Sequence, residues 1–531
     1  MYEYRAGRAM TAISYSTCKK TGYEYGTLYE SVRNGKKTRK VYGEHLGRVI
    51  DKKRQVFFSR KRKLFQYDSE TGKFLPPPPD AVVPKRKSRL KVPPRPVTYP
   101  VGDVYLIHKF VESLGLHPLL AEAFSDKLDS LKAMLCFYMT SGLSNRHACE
   151  WLDTSYAKFL FPKAALSSTQ VSELLKYLGD PSRRQTFFKA YLRWFADRYQ
   201  KADVGNILID STGLPNSAHL SLTAISNHNG DINREARLVY VVQQSTGLPI
   251  HFRCIPGNIV DVNTIRRTIL ELKQYGVNTN YAITDAGYLS EENLKVFYEE
   301  GISFLTRLQP NRTLYKEVVK KHLSEIKEKG VVVKQKGRLI RVLKTHGYIG
   351  KKVDKKGNVI FQGYPAYVYL CVDEQRLALE QLKLVEKVVK GDVPLEKYTQ
   401  QLESKGVFML VSKRSIKPEQ IVGLYYTRQQ IEQVFDFGKN YAKMLPLSIQ
   451  EEETLQGHML LTFLATIVVK ILAGKFEKAG ASPVKPALAN LATHTCTKFE
   501  DLFITSEPNK LANEAYKAAG IEYPISLPAC S

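Results

Sequence analysis

The sequence predicts a multidomain α/β protein, in which a mixed sheet covered by helices follows a small basic β module and a helical bundle. Three observations carry this. The chain has 531 residues and is 43% hydrophobic, too long for one ordinary domain and apolar enough for real cores. An unbroken proline run, Pro76 to Pro79, leads into KRKSRLKVPPRP and sets a basic, aromatic-rich stretch apart from the rest. At Asn206 the pattern changes from apolar residues three and four apart to short apolar strands alternating with helices.

Charge narrows the class of partner. The net charge is +27, and residues 1–99 hold 24 Lys and Arg against 8 Asp and Glu, which gives +16 of it. A polyanion, most simply double-stranded DNA, is the expected partner. No membrane partner is expected. The longest apolar run, Met459 to Val469, stops at Lys470, is too short to span a bilayer and predicts a buried helix. The start, MYEYRAGRAM, lacks the apolar core of a signal peptide. Seven scattered Cys with no C-x-x-C pair fit free thiols in a reducing cytosol and no zinc site. The expected location is cytoplasmic, at the nucleoid.

Residues 1–75 predict a basic β module. YEYGTLYESV and TRKVYGEHLGRV flank an Asn34-Gly35 turn, and QVFFSRKRKLFQYD reads as a second hairpin. Lys36, Lys37, Arg39 and Lys40 sit at the first turn beside Tyr25, Tyr29 and Tyr42, a pattern that suits a phosphate backbone. A solvated basic tail is the alternative, but a tail would not carry so many aromatics. Residues 76–100 form a stiff basic linker. Residues 101–200 read as a helical bundle for DNA binding or dimerisation, with helix starts at Ser167-Ser168-Thr169 and Asp180-Pro181. Residues 201–309 and 406–445 form the mixed-sheet domain, in which ILID and YAIT are short apolar strands and Ser290 caps a helix. Asp261 to Tyr275 reads as an amphipathic helix. Residues 310–405 read as a β-rich insertion, and 446–531 as a C-terminal helical region.

Two carboxylates, Asp210 and Asp285, each end a short apolar strand, where open α/β sheets gather ligands and metals. A third, Glu432, lies in the stretch Tyr425 to Lys439. Read as one helix, that stretch puts Tyr425, Arg428, Glu432 and Lys439 within about 60° of one another, beside an apolar stripe of Leu424, Ile431 and Phe435. The same spacing also suits a plain surface helix with an Arg428–Glu432 ion pair. Three hard oxygen ligands without His or Cys suit Mg²⁺, with Mn²⁺ as substitute. Two such ions can activate a nucleophile and stabilise the leaving oxygen of a phosphodiester.

The residues Tyr425, Arg428, Glu432 and Lys439 stand as Y-x2-R-x3-E-x6-K. This resembles the signature of DDE transposases of the insertion-sequence-four family. Asp210 in ILIDSTGL is similar to the family's first carboxylate, and Asp285 in TDAGY to its second motif, D-x-G-[YF]. Pro256-Gly257-Asn258 followed by Asp261 is similar to its G-N-x-x-D stretch, and YESVRNGKKTRKVYGEHLGRV to the long-chain branch. The resemblance implies a ribonuclease H-like catalytic domain with a β-rich insertion before the Glu, and catalysis and metal binding by Asp210, Asp285 and Glu432. It implies that Tyr425, Arg428 and Lys439 lie along DNA-end phosphates. It also implies cleavage at terminal inverted repeats, strand transfer to target DNA, and a homodimer in the synaptic complex. Many members have Trp after the Arg, whereas this chain has Gln429. A metal-dependent nuclease without strand transfer, or an inactive DNA-binding derivative, would share the same residues.

Overall fold

A computed structural model describes residues 12–18, 22–34, 37–83, 97–200, 202–216, 220–228, 231–259, 264–354, 358–402, 405–445, 447, 449–499 and 502–528. Gly35, Lys36, Asp261, the side chain of Lys37 and linker residues 84–96 lie outside them. The chain divides into two compact units, residues 1–95 and 96–531.

The first unit is an antiparallel meander of six strands in chain order: β1 Ala12–Thr17, β2 Glu24–Asn34, β3 Lys37–Asp51, β4 Val56–Ser59, β5 Lys63–Asp68 and β6 Lys73–Leu75. Alternation along these strands puts Leu28, Leu46, Phe57, Phe65 and Tyr67 into one small core. Both expected hairpins are present. The first is long, and its ladder slips twice near the core, between Gly26 and Thr27 and between Thr27 and Tyr29. Gly47, at φ +99°, permits the first slip, because a Cβ there would run into the carbonyl of Phe58.

The second unit opens with β7 (Thr98–Pro100) and a helical layer. Helix Ser168–Gly179 starts at a capping box of Ser167 and Gln170, and helix Pro181–Arg198 starts where Asp180 accepts from the backbone of Ser182 and Arg183. Both starts fall where the sequence puts them. Helix Glu452–Ala479 runs through the middle of the unit with apolar residues all round. At 28 residues it is longer than the apolar run within it, and is long and apolar enough by composition to cross a membrane. That corrects the expectation that no segment reaches this length. Its burial, 72% of the apolar window, makes it a core helix here.

Against this layer lies a ten-stranded sheet. Its strands are β8 Asn206–Pro215, β9 Ala224–His228, β10 Asp231–Gln243, β11 Pro249–Pro256, β12 Tyr281–Thr284, β13 Ser303–Leu308, β14 Val331–Gln335, β15 Arg338–Ile349, β18 Tyr364–Asp373 and β19 Val407–Ser412, with β16 (Lys352–Val353) and β17 (Val359–Phe361) as a separate ribbon. The order is β11-β10-β8-β12-β13-β19-β18-β15-β14, with β9 beside β10. Strands β8, β12 and β13 are parallel and the other pairs antiparallel. The stretch 310–405 thus supplies β14, β15 and β18 and continues the sheet. The C-terminal stretch holds helices Val484–Leu491 and Lys510–Ala519. It also holds β20 (Thr495–Lys498), β21 (Leu502–Thr505) and β22 (Ser526–Pro528), which form a small sheet with β7.

Candidate active site

The site is built where the parallel pairing of β8 with β12 stops, at Ile209 and Thr284. Strand β8 itself runs on to Pro215, held by β10, so Asp210 lies within its strand and does not end it as the sequence suggests. Ile207, Leu208 and Ile209 are fully buried, and the chain then emerges at Asp210. On the neighbouring strand Tyr281 to Thr284 are buried and Asp285 follows. The ladder pairs Thr284 with Ile209, so the next residue on each strand is an aspartate at the same level. Adjacent strands lie about 4.8 Å apart, which sets the spacing of the two backbones. Asp285 ends its strand in extended backbone (φ −76°, ψ 165°) and opens a short turn, Ala286–Tyr288. Thr306 Oγ1 on β13 donates to the carbonyl of Asp285 at 3.1 Å and ties that turn to the sheet.

The third carboxylate comes from a helix pair. The sequence predicts one helix from Tyr425 to Lys439; the structure breaks it into Pro418–Tyr426 and Gln429–Tyr441. The cause is local. Thr427 Oγ1 donates to the carbonyl of Leu424 at 2.7 Å, and the backbone N–H groups of Thr427, Arg428, Gln430 and Ile431 bond three residues back rather than four. The joint tightens the chain and turns Tyr425 inward, where it is buried. The i,i+4 ion pair is present, and the same guanidinium also reaches across to β8. Arg428 Nη2 donates to Glu432 Oε1 at 3.0 Å, and Nη1 donates to Asp210 Oδ2 at 2.6 Å, 218 residues away.

This guanidinium is only 19% exposed, Asp210 18% and Glu432 56%. Burial works against the charge of Arg428, but the acidic field of Asp210 and Asp285, with Tyr425 and Glu432, outweighs it and raises the pKa above the ordinary arginine value. Burial pushes the Tyr425 hydroxyl up to about 12, with Arg428 opposing and Asp285 adding to the shift. Both shifts place Asp285 in the same electrostatic neighbourhood. Lys439, about two turns beyond Glu432, donates from Nζ to Thr212 Oγ1 at 3.1 Å. Thr212 is two residues past Asp210 and so on the same face of β8.

Asp210, Arg428, Glu432, Lys439 and the end of β12 therefore meet. Arg39, Lys40 and the backbone of Lys37 lie in β3 of the other unit. Three contacts escaped the sequence reading. Thr212 had a readable signal, the i+2 spacing from Asp210. Gln429, which stands where a Trp is common, accepts from Lys336 Nζ at 2.5 Å, and Tyr426 accepts from Arg338 Nη2 at 2.9 Å. These two cations come from the β14–β15 turn and nothing in the local sequence couples them to the helix. The carboxylates have the chemistry for a hard divalent cation. Their present arrangement does not fit one: among the described residues no three acidic, His or Cys side chains converge on a common point. Arg428 takes up the facing oxygens of Asp210 and Glu432 instead.

The family comparison is informative on this region. Residues 206–468 match the family model described as the transposase DDE domain. This region is similar to a transposase DDE domain. It spans β8 and β12 with their two aspartates, the helix of Glu432, and much of the long core helix. Among solved structures, a piggyBac transposase in a synaptic complex with hairpin DNA is similar at 11% identity, covering 74% of this chain and 79% of that one, with a TM-score of 0.36. A likeness that low bears on neither fold nor mechanism. No curated protein matches the chain.

Proposed function

We propose that the chain is a cut-and-paste DNA transposase similar to the insertion-sequence-four family. It would bind the terminal inverted repeats of an insertion sequence, cleave the DNA ends and transfer the freed strands to target DNA. The observation that carries this is the double ion pair of Arg428 with Asp210 and Glu432 at the level of Asp285. It links Arg428 and Glu432 of the Y-R-E-K spacing to Asp210, beside the end of β12. The strand order β11-β10-β8-β12-β13 around the paired parallel strands supports a ribonuclease H-like catalytic domain.

In this reading Asp210, Asp285 and Glu432 are the catalytic carboxylates. Arg428 and Lys439 orient end phosphates, and Tyr425, buried beneath the joint, supports that surface. A divalent cation, Mg²⁺ or Mn²⁺, when bound would supply Lewis-acid stabilisation of phosphodiester oxygens. Because Arg428 now holds two of the carboxylates, its release to a DNA phosphate belongs to forming the active arrangement. The partners are transposon-end and target duplexes and a second copy in the synaptic complex, in the cytoplasm at the nucleoid.

The test is Glu432→Gln with a duplex carrying the element's own end. The exchange keeps the helix and removes one charge. End cleavage is expected to fall about 10²-fold or more while end binding stays within a few-fold. Near-normal Mg²⁺-dependent cleavage by this variant would overturn the assignment. A strand-transfer assay with pre-cut ends distinguishes a transposase, which joins them, from a nuclease, which does not.

A further inference from the structure

We propose that the outer end of the β2–β3 hairpin is an arm that enters the major groove of duplex DNA. This rests on the reading above that the chain binds DNA.

The small core of the first unit stops at Leu28 on β2 and Leu46 on β3. The hairpin does not. Pairing continues from Tyr29 with Tyr42 to Asn34 with Lys37, six rungs or about 20 Å of ribbon. Past Tyr29 these strands pair only with each other among the described residues. Glu30 to Val32 and Thr38 to His45 are exposed, on both faces of the ribbon. A two-stranded ribbon with no core beneath it is marginal in water. Its length is therefore not explained by the fold of its own unit. The two ladder slips sit at its base, between core and arm, where bulges bend a ribbon and sharpen its twist.

The chemistry of the arm suits DNA. Alternation puts Tyr29, Ser31, Thr38, Lys40 and Tyr42 on one face and Glu30, Val32, Arg39 and Val41 on the other. The first face is already ordered: the Tyr29 and Tyr42 rings are 6.2 Å apart and Lys40 Nζ lies 4.2 Å over Tyr29. It offers hydroxyls, each donor and acceptor, to base edges. Lys40 and Arg39 point to opposite faces, as needed to reach phosphates on both walls of a groove. Glu44, at the base, is neutralised by Arg62 at 2.8 Å. The major groove, about 12 Å wide, admits a two-stranded ribbon in undistorted duplex, whereas the minor groove, about 6 Å wide, would first have to be opened by bending the DNA.

The experiment uses the full chain. Duplexes are selected from a random pool by binding, then methylated with dimethyl sulfate, which marks guanine N7 in the major groove and adenine N3 in the minor groove. Wild type is compared with Tyr42→Ala and with the double variant R39Q/K40Q. These side chains are exposed and outside the core, so circular dichroism should be unchanged. Expected are guanine N7 interference within one stretch of the site, its loss in Tyr42→Ala, and a salt dependence flatter by about two in log K against log salt in R39Q/K40Q. Interference confined to adenine N3, or an N7 pattern and slope unaltered in both variants, would overturn the arm and leave the transposase reading standing. Absence of any duplex binding by wild type would overturn that reading and the arm with it.

Discussion

Arg428 decides how the carboxylates are held. Its guanidinium forms charge-assisted bonds to Asp210 at 2.6 Å and Glu432 at 3.0 Å, both stronger than neutral hydrogen bonds. A divalent cation must compete with those bonds for the same oxygens. Arg428→Met removes the competitor while keeping a long, uncharged side chain. In the absence of DNA, Mn²⁺ affinity measured by electron paramagnetic resonance is expected to rise about tenfold, equivalent to ~1.4 kcal/mol. Unchanged or weaker Mn²⁺ binding would show that the arginine does not guard the carboxylates. DNA cleavage by the same variant should fall, because the phosphate contact is lost with the charge. Asp285 and Glu432 were legible in the sequence because one ends an apolar strand and the other sits on an apolar-striped helix; Asp210 was legible because it closes the apolar run Ile207 to Ile209, although its strand continues to Pro215. The side chain that spans two of them was legible only as a neighbour of Glu432. Its bond to Asp210 crosses 218 positions, and no local pattern encodes such a distance.

Two glycines of the long core helix look alike in sequence and differ in surroundings. At Gly457 a Cβ would collide with the carbonyl of Leu175, and at Gly179 with that of Glu453, so helices Ser168–Gly179 and Glu452–Ala479 cross backbone to backbone. At Gly474 a Cβ meets nothing within 4 Å. Gly457→Ala should therefore destabilise by about 2 kcal/mol or more through overpacking. Gly474→Ala should stabilise by roughly 0.5–1 kcal/mol through helix propensity. Urea midpoints of the two variants check this, and a shift in the same direction for both would contradict the crossing. The helical layer also predicts an acid sensitivity. Burial lowers His108 and His458 to about 4, and lowers His117 as well. The unfolded chain, with histidines near 6.5, binds more protons, so this stability is present above about pH 6.5 and is lost as pH falls toward 4. Buried Asp103, raised to about 6, acts in the opposite sense, losing stability as pH rises through 6. Two strongly shifted histidines outweigh one aspartate, for a net loss on the order of 2 kcal/mol from pH 7 to pH 5. A melting temperature flat across that interval would contradict the burial of these groups. The helices and their caps were legible from periodicity and from Ser167 and Asp180, while the break at Thr427 was not. It depends on a hydroxyl choosing a backbone carbonyl over solvent, which periodicity does not report.

The two-unit division matches the unevenness of charge along the chain, since +16 of +27 falls in residues 1–99. That asymmetry and the proline run made the boundary legible. The continuation of the ten-stranded sheet into β18, β15 and β14 was not, because strands that extend a sheet and strands of a separate domain share one period. Nor was the role of Thr98–Pro100, three residues that read as linker and instead pair with β20 at the far end of the chain. This pairing sets where the chain can be cut. A fragment 97–531 keeps β7 and with it the whole four-stranded C-terminal sheet, whereas a fragment starting after Pro100 strips an edge strand from that sheet and uncovers Phe503 and Cys496 beside Val101. Fragment 97–531 should fold, with a cooperative melt. On the element's end it should bind more weakly than the full chain, because the cations of the first unit release counterions at about 0.9 per phosphate contact. The slope of log K against log salt should flatten by several units, more than the two removed by R39Q/K40Q alone. If fragment 97–531 binds with the full chain's affinity and slope, end recognition belongs to the helical layer and the +16 unit has no part in it.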